Sequence, residues 1–132
     1  MQIGIKGFIE IVVTEENTAR HMGSGTLDVL ATPAMITLME RAAWESVQGQ
    51  LDNGCCTVGT ALHVQHLSAT PVGMKVRCES ELVEVNGRKL TFTVKAYDEA
   101  GLIGEGTHER VIVYSDRFQN KAEEKNNTIA EV

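Results

Sequence analysis

The pattern of hydrophobic and polar positions divides the chain into one helical segment and several strands. Residues 7–13 are rich in β-branched side chains and predict a first strand, followed by a glycine-punctuated connection without a clear period. Residues 32–51 repeat their apolar positions with the period of a helix. From residue 56 to residue 114 the pattern is strand-like, so one long helix is expected between a first strand and a run of later strands.

The predicted helix carries start and stop signals. Thr32 is expected to be the N-cap residue, with Pro33 at the first helical position, where its missing N–H costs nothing. The turn residues 52–54 (Asp-Asn-Gly) end the segment after Leu51. The adjacent alanines at positions 42 and 43 favour a helix that lies close against a flat surface such as a sheet.

Two polar side chains stand where the pattern calls for apolar ones. Glu40 falls on the helix flank shared with Ile36, where a carboxylate is costly unless it has a partner. In the strand after the helix the even-numbered positions 56–64 form one face, apolar except for Thr60. His66 continues that face, whereas His63 points the other way. A carboxylate paired with a nearby Arg or Lys, and a hydrogen-bonded core histidine, are the purely structural alternatives.

The remaining strands are predicted to pair as antiparallel neighbours. Asn86-Gly87, the dipeptide favoured in a type I′ hairpin turn, follows a strand at residues 74–85. Gly104 and Gly106 lie within the last strand and indicate a bulge or a close backbone approach. The side chains expected to point inward from the two hairpin strands are Val76, Cys78, Ser80, Leu82, Leu90, Phe92, Val94 and Ala96.

A strand, a helix and four antiparallel strands make a two-layer α+β domain, expected over residues 1–115. Residues 116–132 are polar and lack a core pattern, which predicts a C-terminal tail with some helix near Phe118. The edges of so long a sheet need protection, and a homodimer that continues the sheet would provide it.

Composition narrows the classes of function. With 132 residues, 42% hydrophobic and 23% charged, the chain is typical of one globular domain, and its net charge of −6 argues against a general nucleic-acid binder. No apolar run reaches transmembrane length and no signal-peptide pattern is present, so a cytoplasmic location without membrane association is expected. Cys55, Cys56 and Cys78 lack CxxC spacing and are read as reduced thiols. His63 and His66 face opposite sides of a strand, so no metal site is expected.

Four segments resemble one family in order and spacing: VTEENTARH, ATPAMITLMERA, TVGTALHVQH and IGEGTHERVIV. They are similar to segments of the fluoroacetyl-CoA thioesterase-like proteins, and the likeness extends over about residues 12–115. The resemblance implies a hotdog fold, in which a curved antiparallel sheet wraps a long central helix. It also implies that Thr32, Glu40 and His66 are catalytic, and that the backbone of Gly59 lies near the thioester.

The implied activity is hydrolysis of a small or short-chain acyl-CoA to the free acid and CoA, without a cofactor. His66 would act as base and then acid, and Glu40 would either activate water or attack the carbonyl directly. Thr32 would orient the Glu40 carboxylate. The candidates for substrate contact are Gly59, Thr60, His108 and Arg110, although a structural role is favoured for His108 and Arg110. A hotdog hydratase or dehydratase, and a non-catalytic acyl-CoA-binding regulatory module, are the alternatives.

Helix geometry limits how Thr32 and Glu40 can belong to the same site. Thr32 and Glu40 are eight residues apart, or roughly 12 Å along one continuous helix. Either Thr32 lies on a loop that folds back, or the site combines residues of two chains. We favour an interface in a homodimer or a dimer of dimers.

The segment before the helix differs from that of the fluoroacetyl-specific enzymes, which carry an aromatic lid there. No Phe, Tyr or Trp lies between Phe8 and Trp44, so the lid and the selectivity for fluoroacetyl-CoA are not expected.

Four basic residues flank the hairpin and either meet CoA phosphates or are simply solvated strand ends. They are Lys75, Arg77, Arg88 and Lys89.

Overall fold

One long helix lies across one face of a five-stranded antiparallel sheet in the computed structural model, which describes residues 1–128. The strands are β1 (Lys6–Val12), β2 (Cys55–His66), β3 (Lys75–Asn86), β4 (Lys89–Asp98) and β5 (Gly101–Tyr114). The helices are α1 (Ala19–Met22), α2 (Thr32–Gln48) and α3 (Ser115–Glu123). The strand order is β1-β3-β4-β5-β2, so β1 and β2 form the two edges of the sheet.

The start and the end of α2 differ from the prediction. Ala31 is the N-cap residue and makes no side-chain capping bond, while Thr32 is already helical. The predicted N-cap role of Thr32 is therefore wrong, because its hydroxyl is bonded to the end of β2 instead. The helix ends at Gln48, three residues before the predicted Leu51, and Gly49 follows as its C-cap.

The face of the sheet under α2 carries the core. All eight side chains that the alternation assigned to the inner face of β3 and β4 are buried, which confirms that part of the prediction. Met35 and Met39 of α2 are fully buried against them, and each such side chain contributes about 1.5–3 kcal/mol through removal from water. On β1, a Cβ at Gly7 would collide with the Ala42 carbonyl oxygen, so the helix lies as close to the sheet as predicted.

Three register shifts bend the sheet around the helix. They fall between Gly59 and Ala61 in β2, between Leu82 and Glu84 in β3, and opposite the Ala96–Tyr97 step of β4. Within β5, a Cβ at Gly104 would lie 2.6 Å from the Met35 sulfur, and one at Gly106 would overlap the backbone of β2. The predicted close approach at both glycines is confirmed. The bulges strengthen the local twist and let the sheet curve.

The connection between β1 and α2 contains more structure than predicted. It forms a 3₁₀ turn at Glu15–Asn17, the short helix α1, and isolated bridges from Thr18 to Leu30 and from Val29 to Pro71. Periodicity does not detect a helix of four residues. This segment covers the end of β2 at which His66 lies.

After β5 the chain forms α3, none of whose residues is buried, as expected for the predicted polar tail with helix near Phe118. Residues 129–132 of that tail lie outside the described residues, and the domain boundary at residue 115 stays a prediction. Within residues 1–128, no helix is long and apolar enough to span a membrane.

Candidate functional site

A bulge at Thr60 determines which side chains of β2 face the helix. Gly59 pairs with Arg110, and Ala61 pairs with Glu109, so Thr60 is the extra residue. A bulge shifts the alternation by one residue. Leu62, Val64 and His66 therefore face the helix as predicted, but before the bulge Thr57 and Gly59 do so, not the predicted even-numbered residues.

Glu40 lies at the point where Gly59 faces the helix. A Cβ at Gly59 would lie 2.9 Å from Glu40 Oε2, 3.2 Å from His108 Cε1 and 3.3 Å from Arg110 Nη1. The missing side chain of Gly59 thus makes room for the Glu40 carboxylate against the strand. The Glu40 side chain is 36% exposed, so solvent and ligands can reach it.

The charge partner of Glu40 is Arg110. Arg110 Nη1 lies 3.7 Å from Glu40 Oε2, which is an ion pair but longer than a hydrogen bond. Arg110 is only 6% exposed, and burial lowers its pKa while Glu40 opposes that shift. Its Nε donates to Thr57 Oγ1 at 2.7 Å and its Nη2 donates to the Thr57 carbonyl at 2.9 Å. The guanidinium is thereby fixed, while the carboxylate keeps lone pairs free for another donor.

His108 lies behind Arg110 and has no exposed surface. Its Nδ1 lies 2.9 Å from the Ala61 carbonyl, which can only accept, so Nδ1 carries the proton. Its Nε2 then accepts from Arg110 Nη1 at 3.0 Å. Burial, and after it the positive charge of Arg110, lowers the pKa of His108, consistent with a neutral ring. His108 therefore supports Arg110 and does not line a channel open to a ligand.

Thr32 and His66 form a second group, separate from the first. Thr32 Oγ1 lies 2.8 Å from His66 Nδ1, and this bond joins the start of α2 to the end of β2. The prediction that Thr32 orients Glu40 is wrong within one chain, because its hydroxyl is bonded to the imidazole. The sequence indicated Thr32 and His66 as candidate site residues but did not predict the hydrogen bond between them.

The other ring nitrogen of His66, Nε2, lacks a hydrogen-bond partner in the part of the chain that the structure describes. This nitrogen is also buried. A cavity of about 300 Å³ adjoins the ring, between β2 and the segment before α2, with Ser24, Val29 and Leu30 in its wall. Burial lowers the pKa of His66, and the backbone of Ser68 acts in the opposite direction. A neutral imidazole next to a cavity can take up or deliver a proton near neutral pH.

Within one chain the two groups are far apart. Because α2 is continuous from Thr32, Glu40 lies roughly 12 Å further along the helix axis. Gly59 and His66 are seven residues apart on β2, which corresponds to roughly 20 Å. The structure therefore excludes the first of the two arrangements expected above, in which Thr32 lies on a loop that folds back.

The remaining sequence candidates fall outside these groups. Thr60 is exposed in the bulge, where its hydroxyl donates to the Glu109 carbonyl at 3.2 Å.

Among residues 1–128 there is no group of three His, Cys, Asp or Glu residues placed to hold a metal ion. The three cysteines are free thiols, and burial raises the pKa of Cys78 to about 12. Thr57, which binds Arg110 twice, was missed because the simple alternation placed it on the outer face.

Sequence comparison relates the chain to thioesterases. A family model described as fluoroacetyl-CoA-specific thioesterase matches residues 13–116. The fluoroacetyl-CoA thioesterase of Streptantibioticus cattleyicolor is 35% identical over 131 residues, which covers 95% of this chain and 94% of that protein. The similarity thus includes every residue of both groups.

Solved structures give the same relationship. A structure of the fluoroacetyl-CoA thioesterase FlK superimposes with a TM-score of 0.90 at 35% identity, over 95% of this chain and 97% of that chain. A Thermus thermophilus member of the thioesterase superfamily has a TM-score of 0.88 at 29% identity, over 96% of this chain and 94% of that chain. A hot-dog-like protein from Thermanaerovibrio acidaminovorans has a TM-score of 0.86 at 22% identity, over 100% and 96% of the two chains. The predicted hotdog fold is confirmed.

Proposed function

The chain belongs to the fluoroacetyl-CoA-specific thioesterase family, and from this we propose that it hydrolyses a small or short-chain acyl-CoA thioester to the free acid and CoA. The observation that carries the proposal is the unpartnered Nε2 of a neutral His66 beside a small cavity. A group that exchanges protons near neutral pH is what thioester hydrolysis requires.

We assign the catalytic roles to Thr32, Glu40 and His66. On one route Glu40 accepts a proton from water, and the hydroxide attacks the thioester carbonyl. On the other route the carboxylate attacks, releases the CoA thiolate and forms a mixed anhydride, which water then opens. On the first route the proton that Glu40 takes from water passes to neutral His66 and from there to the departing sulfur. On the second route His66 takes a proton from the water that opens the anhydride and gives it to the CoA thiolate. Thr32 orients the imidazole through its bond to Nδ1, and proton transfer is assigned to Nε2, which makes no hydrogen bond within residues 1–128.

The substrate contacts follow from the geometry around Glu40. We propose that the thioester lies over Gly59, where a backbone N–H faces the developing oxyanion. Arg110 keeps the Glu40 carboxylate in place, and His108 acts behind it as a positioning residue through the bond to Nη1. Thr60, exposed in the bulge, is left for contact with the part of the substrate outside the cavity.

The separation of the two groups calls for a second chain. β2 is an edge strand of twelve residues, and an edge strand is suited to pairing with its own copy. An antiparallel pair about a two-fold axis at His63, with the bulge residue Thr60 left out of the pairing, brings His66 of one chain opposite Gly59 of the other. We therefore propose a homodimer, alone or as half of a dimer of dimers, whose two sites each join Glu40 of one chain to His66 and Thr32 of the other.

The acyl specificity is proposed to be broader than that of the name-giving relative. The wall of the His66 cavity contains Ser24 of the Gly23-Ser24-Gly25 segment, and none of its lining residues is Phe, Tyr or Trp. Small and short-chain acyl groups would enter without an aromatic lid. We also propose that the protein is cytoplasmic and that it catalyses the hydrolysis without a cofactor.

A thiol-release assay on acetyl-, propionyl-, butyryl- and fluoroacetyl-CoA tests the function. We expect turnover of several short acyl groups, with less than about tenfold preference for fluoroacetyl-CoA, since one small substituent in an apolar pocket is worth little. Hydration of crotonyl-CoA without thiol release would instead identify a hydratase. Saturable acyl-CoA binding without either reaction would identify a regulatory module.

Gly59→Ala tests whether the Glu40 carboxylate works against this strand. The new Cβ would displace Oε2, the end of a flexible side chain, and kcat should fall by about 10-fold or more. It would also press on His108 and Arg110 at 3.2 and 3.3 Å, so a small loss of stability is expected beside the loss of activity. Thermal unfolding and steady-state kinetics would be measured together. Gly49→Ala is the matched control, because nothing lies within 4 Å of a Cβ at that position. Unchanged kcat in Gly59→Ala would contradict the placement of the thioester.

A further inference from the structure

Tyr114, at the end of β5, holds two guanidinium groups against its ring. Arg88 Cζ, from the β3–β4 hairpin turn, lies 5.3 Å from the ring centroid, and Arg117 Cζ, from α3, lies 5.1 Å from it. Tyr114 is 44% exposed, and both arginines are also exposed. Attraction between a cation and an aromatic ring orders each guanidinium, while its N–H edges stay open to solvent. We call these three residues the Tyr114 cluster.

The two arginines of the cluster differ from the other arginines of the chain. Arg20, Arg41, Arg77 and Arg110 each lie within ion-pair distance of a carboxylate. Within residues 1–128, Arg88 and Arg117 have no such partner. In a chain with a net charge of −6, two ordered and uncompensated guanidinium groups on one ring form a local site for an anion.

The Tyr114 cluster lies on the same face of the sheet as the Glu40 group. Arg110 and Tyr114 are four residues apart on β5 without a register shift between them, so they share a face and lie roughly 13 Å apart. Arg88 is alongside, because its carbonyl accepts a hydrogen bond of 2.9 Å from the Ile112 N–H. A ligand bound at Glu40 would therefore have the cluster roughly 13 Å further along β5, beyond Ile112, which packs against the core.

The length of CoA fits this separation. About twelve bonds join the sulfur of CoA to the first phosphate oxygen, which equals about four residues of extended chain, or roughly 14 Å. A thioester at Gly59 and Glu40 would thus place the phosphates near the end of β5. Guanidinium groups match phosphate oxygens in geometry and charge.

We propose that the Tyr114 cluster binds the phosphate groups of the CoA nucleotide, with Arg88 and Arg117 as the ligating residues and Tyr114 as their support. The proposal rests on the proposed acyl-CoA thioesterase function. The proposal also distinguishes among the four basic residues near the hairpin. Lys89 is paired with Glu109, Arg77 is paired with Glu79, and Lys75 lies at the end of β3 away from the turn, which leaves Arg88 for the phosphate role.

The double variant Arg88→Gln/Arg117→Gln tests the proposal with two substrates, acetyl-CoA and acetyl-pantetheine, which lacks the nucleotide. For acetyl-CoA we expect KM to rise roughly tenfold while kcat stays within about twofold, because charge-assisted bonds to phosphate are lost far from the reacting atoms. For acetyl-pantetheine, KM should not change. Tyr114→Leu should give a smaller rise for acetyl-CoA, and Tyr114→Phe, which keeps the ring, should give none.

The control is Arg41→Gln/Arg77→Gln, which removes two exposed and carboxylate-paired positive charges elsewhere. It should leave both KM values unchanged. Equal KM changes for the two substrates in the cluster variant, or an equal rise in the control, would overturn the proposal. Calorimetry with adenosine 3′,5′-bisphosphate gives a reading independent of turnover, with binding expected in the wild type and lost in the cluster variant. Absence of hydrolysis with both substrates would refute the thioesterase function, whereas absence of bisphosphate binding would refute the cluster's role.

Discussion

Glu40→Gln is expected to lower kcat for acyl-CoA hydrolysis by about 10³-fold, within the range for loss of a catalytic base or nucleophile. The amide keeps the shape of the side chain but neither takes a proton readily nor attacks a thioester. Glu40→Gln leaves the buried Arg110 without its carboxylate partner, so the fold should lose some stability; the 36% exposure of Glu40 and the 3.7 Å separation keep this loss small. Steady-state thiol release and thermal unfolding would be measured on the same preparation.

The matched control for Glu40→Gln is Glu45→Gln on the same helix. Glu45 is exposed and pairs with Arg41 on the outer side of α2, so it loses the same charge without touching the site. Its activity should equal that of the wild type. Activity of Glu40→Gln within about tenfold of the wild type would exclude both catalytic roles proposed for this carboxylate.

His66 sets the pH dependence of the wild-type reaction. Its base form must be present before catalysis, so kcat/KM should rise with pH through the pKa of His66 and then level off. Because burial lowers that pKa, the midpoint should lie below the ordinary value of 6.5, and activity should be nearly full at neutral pH. His66→Ala should remove this inflection together with most of the activity, whereas His21→Ala, at an exposed position away from the proposed β2 interface, should retain both.

The sequence predicted the scaffold well because the core depends on local periodicity. The inner positions of β3 and β4 follow strict alternation, and α2 follows a helical repeat with Pro33 near its start. Glu40 and His66 were predicted as candidate site residues for the same reason, since each breaks the apolar pattern of its own helix or strand. Such residues can be recognised without knowledge of their neighbours in space.

The sequence could not predict what depends on contacts between elements. The bulge at Thr60 arises from pairing between β2 and β5, so the orientation of Thr57 and its two bonds to Arg110 were not foreseeable from β2 alone. The bond from Thr32 to His66 joins residues 34 positions apart, and a good N-cap residue in front of Pro33 suggested a local role instead. The same limit applies to the Tyr114 cluster, whose members come from a turn, a strand and a helix.

Co-expression of Glu40→Gln and His66→Ala chains should restore activity that neither variant has alone. If each site joins Glu40 of one chain to His66 of the other, the mixed dimer contains one site with both lesions and one site with none. Two different affinity tags would isolate this heterodimer, and its kcat should be about half that of the wild-type dimer, several hundredfold above either variant.

The pairing of Thr32 with His66 in one chain predicts a second heterodimer in which activity should not be restored. Thr32 and His66 belong to the same group of one chain, so a heterodimer of Thr32→Val and His66→Ala chains has no intact site. Its activity should not exceed that of Thr32→Val alone. Since the groups lie roughly 12 Å apart along α2 and roughly 20 Å apart along β2, a site within one chain would require the helix or the sheet to break. No rescue in the first heterodimer, with both chains folded and dimeric, would mean that Glu40 and His66 never act together across the β2 edge.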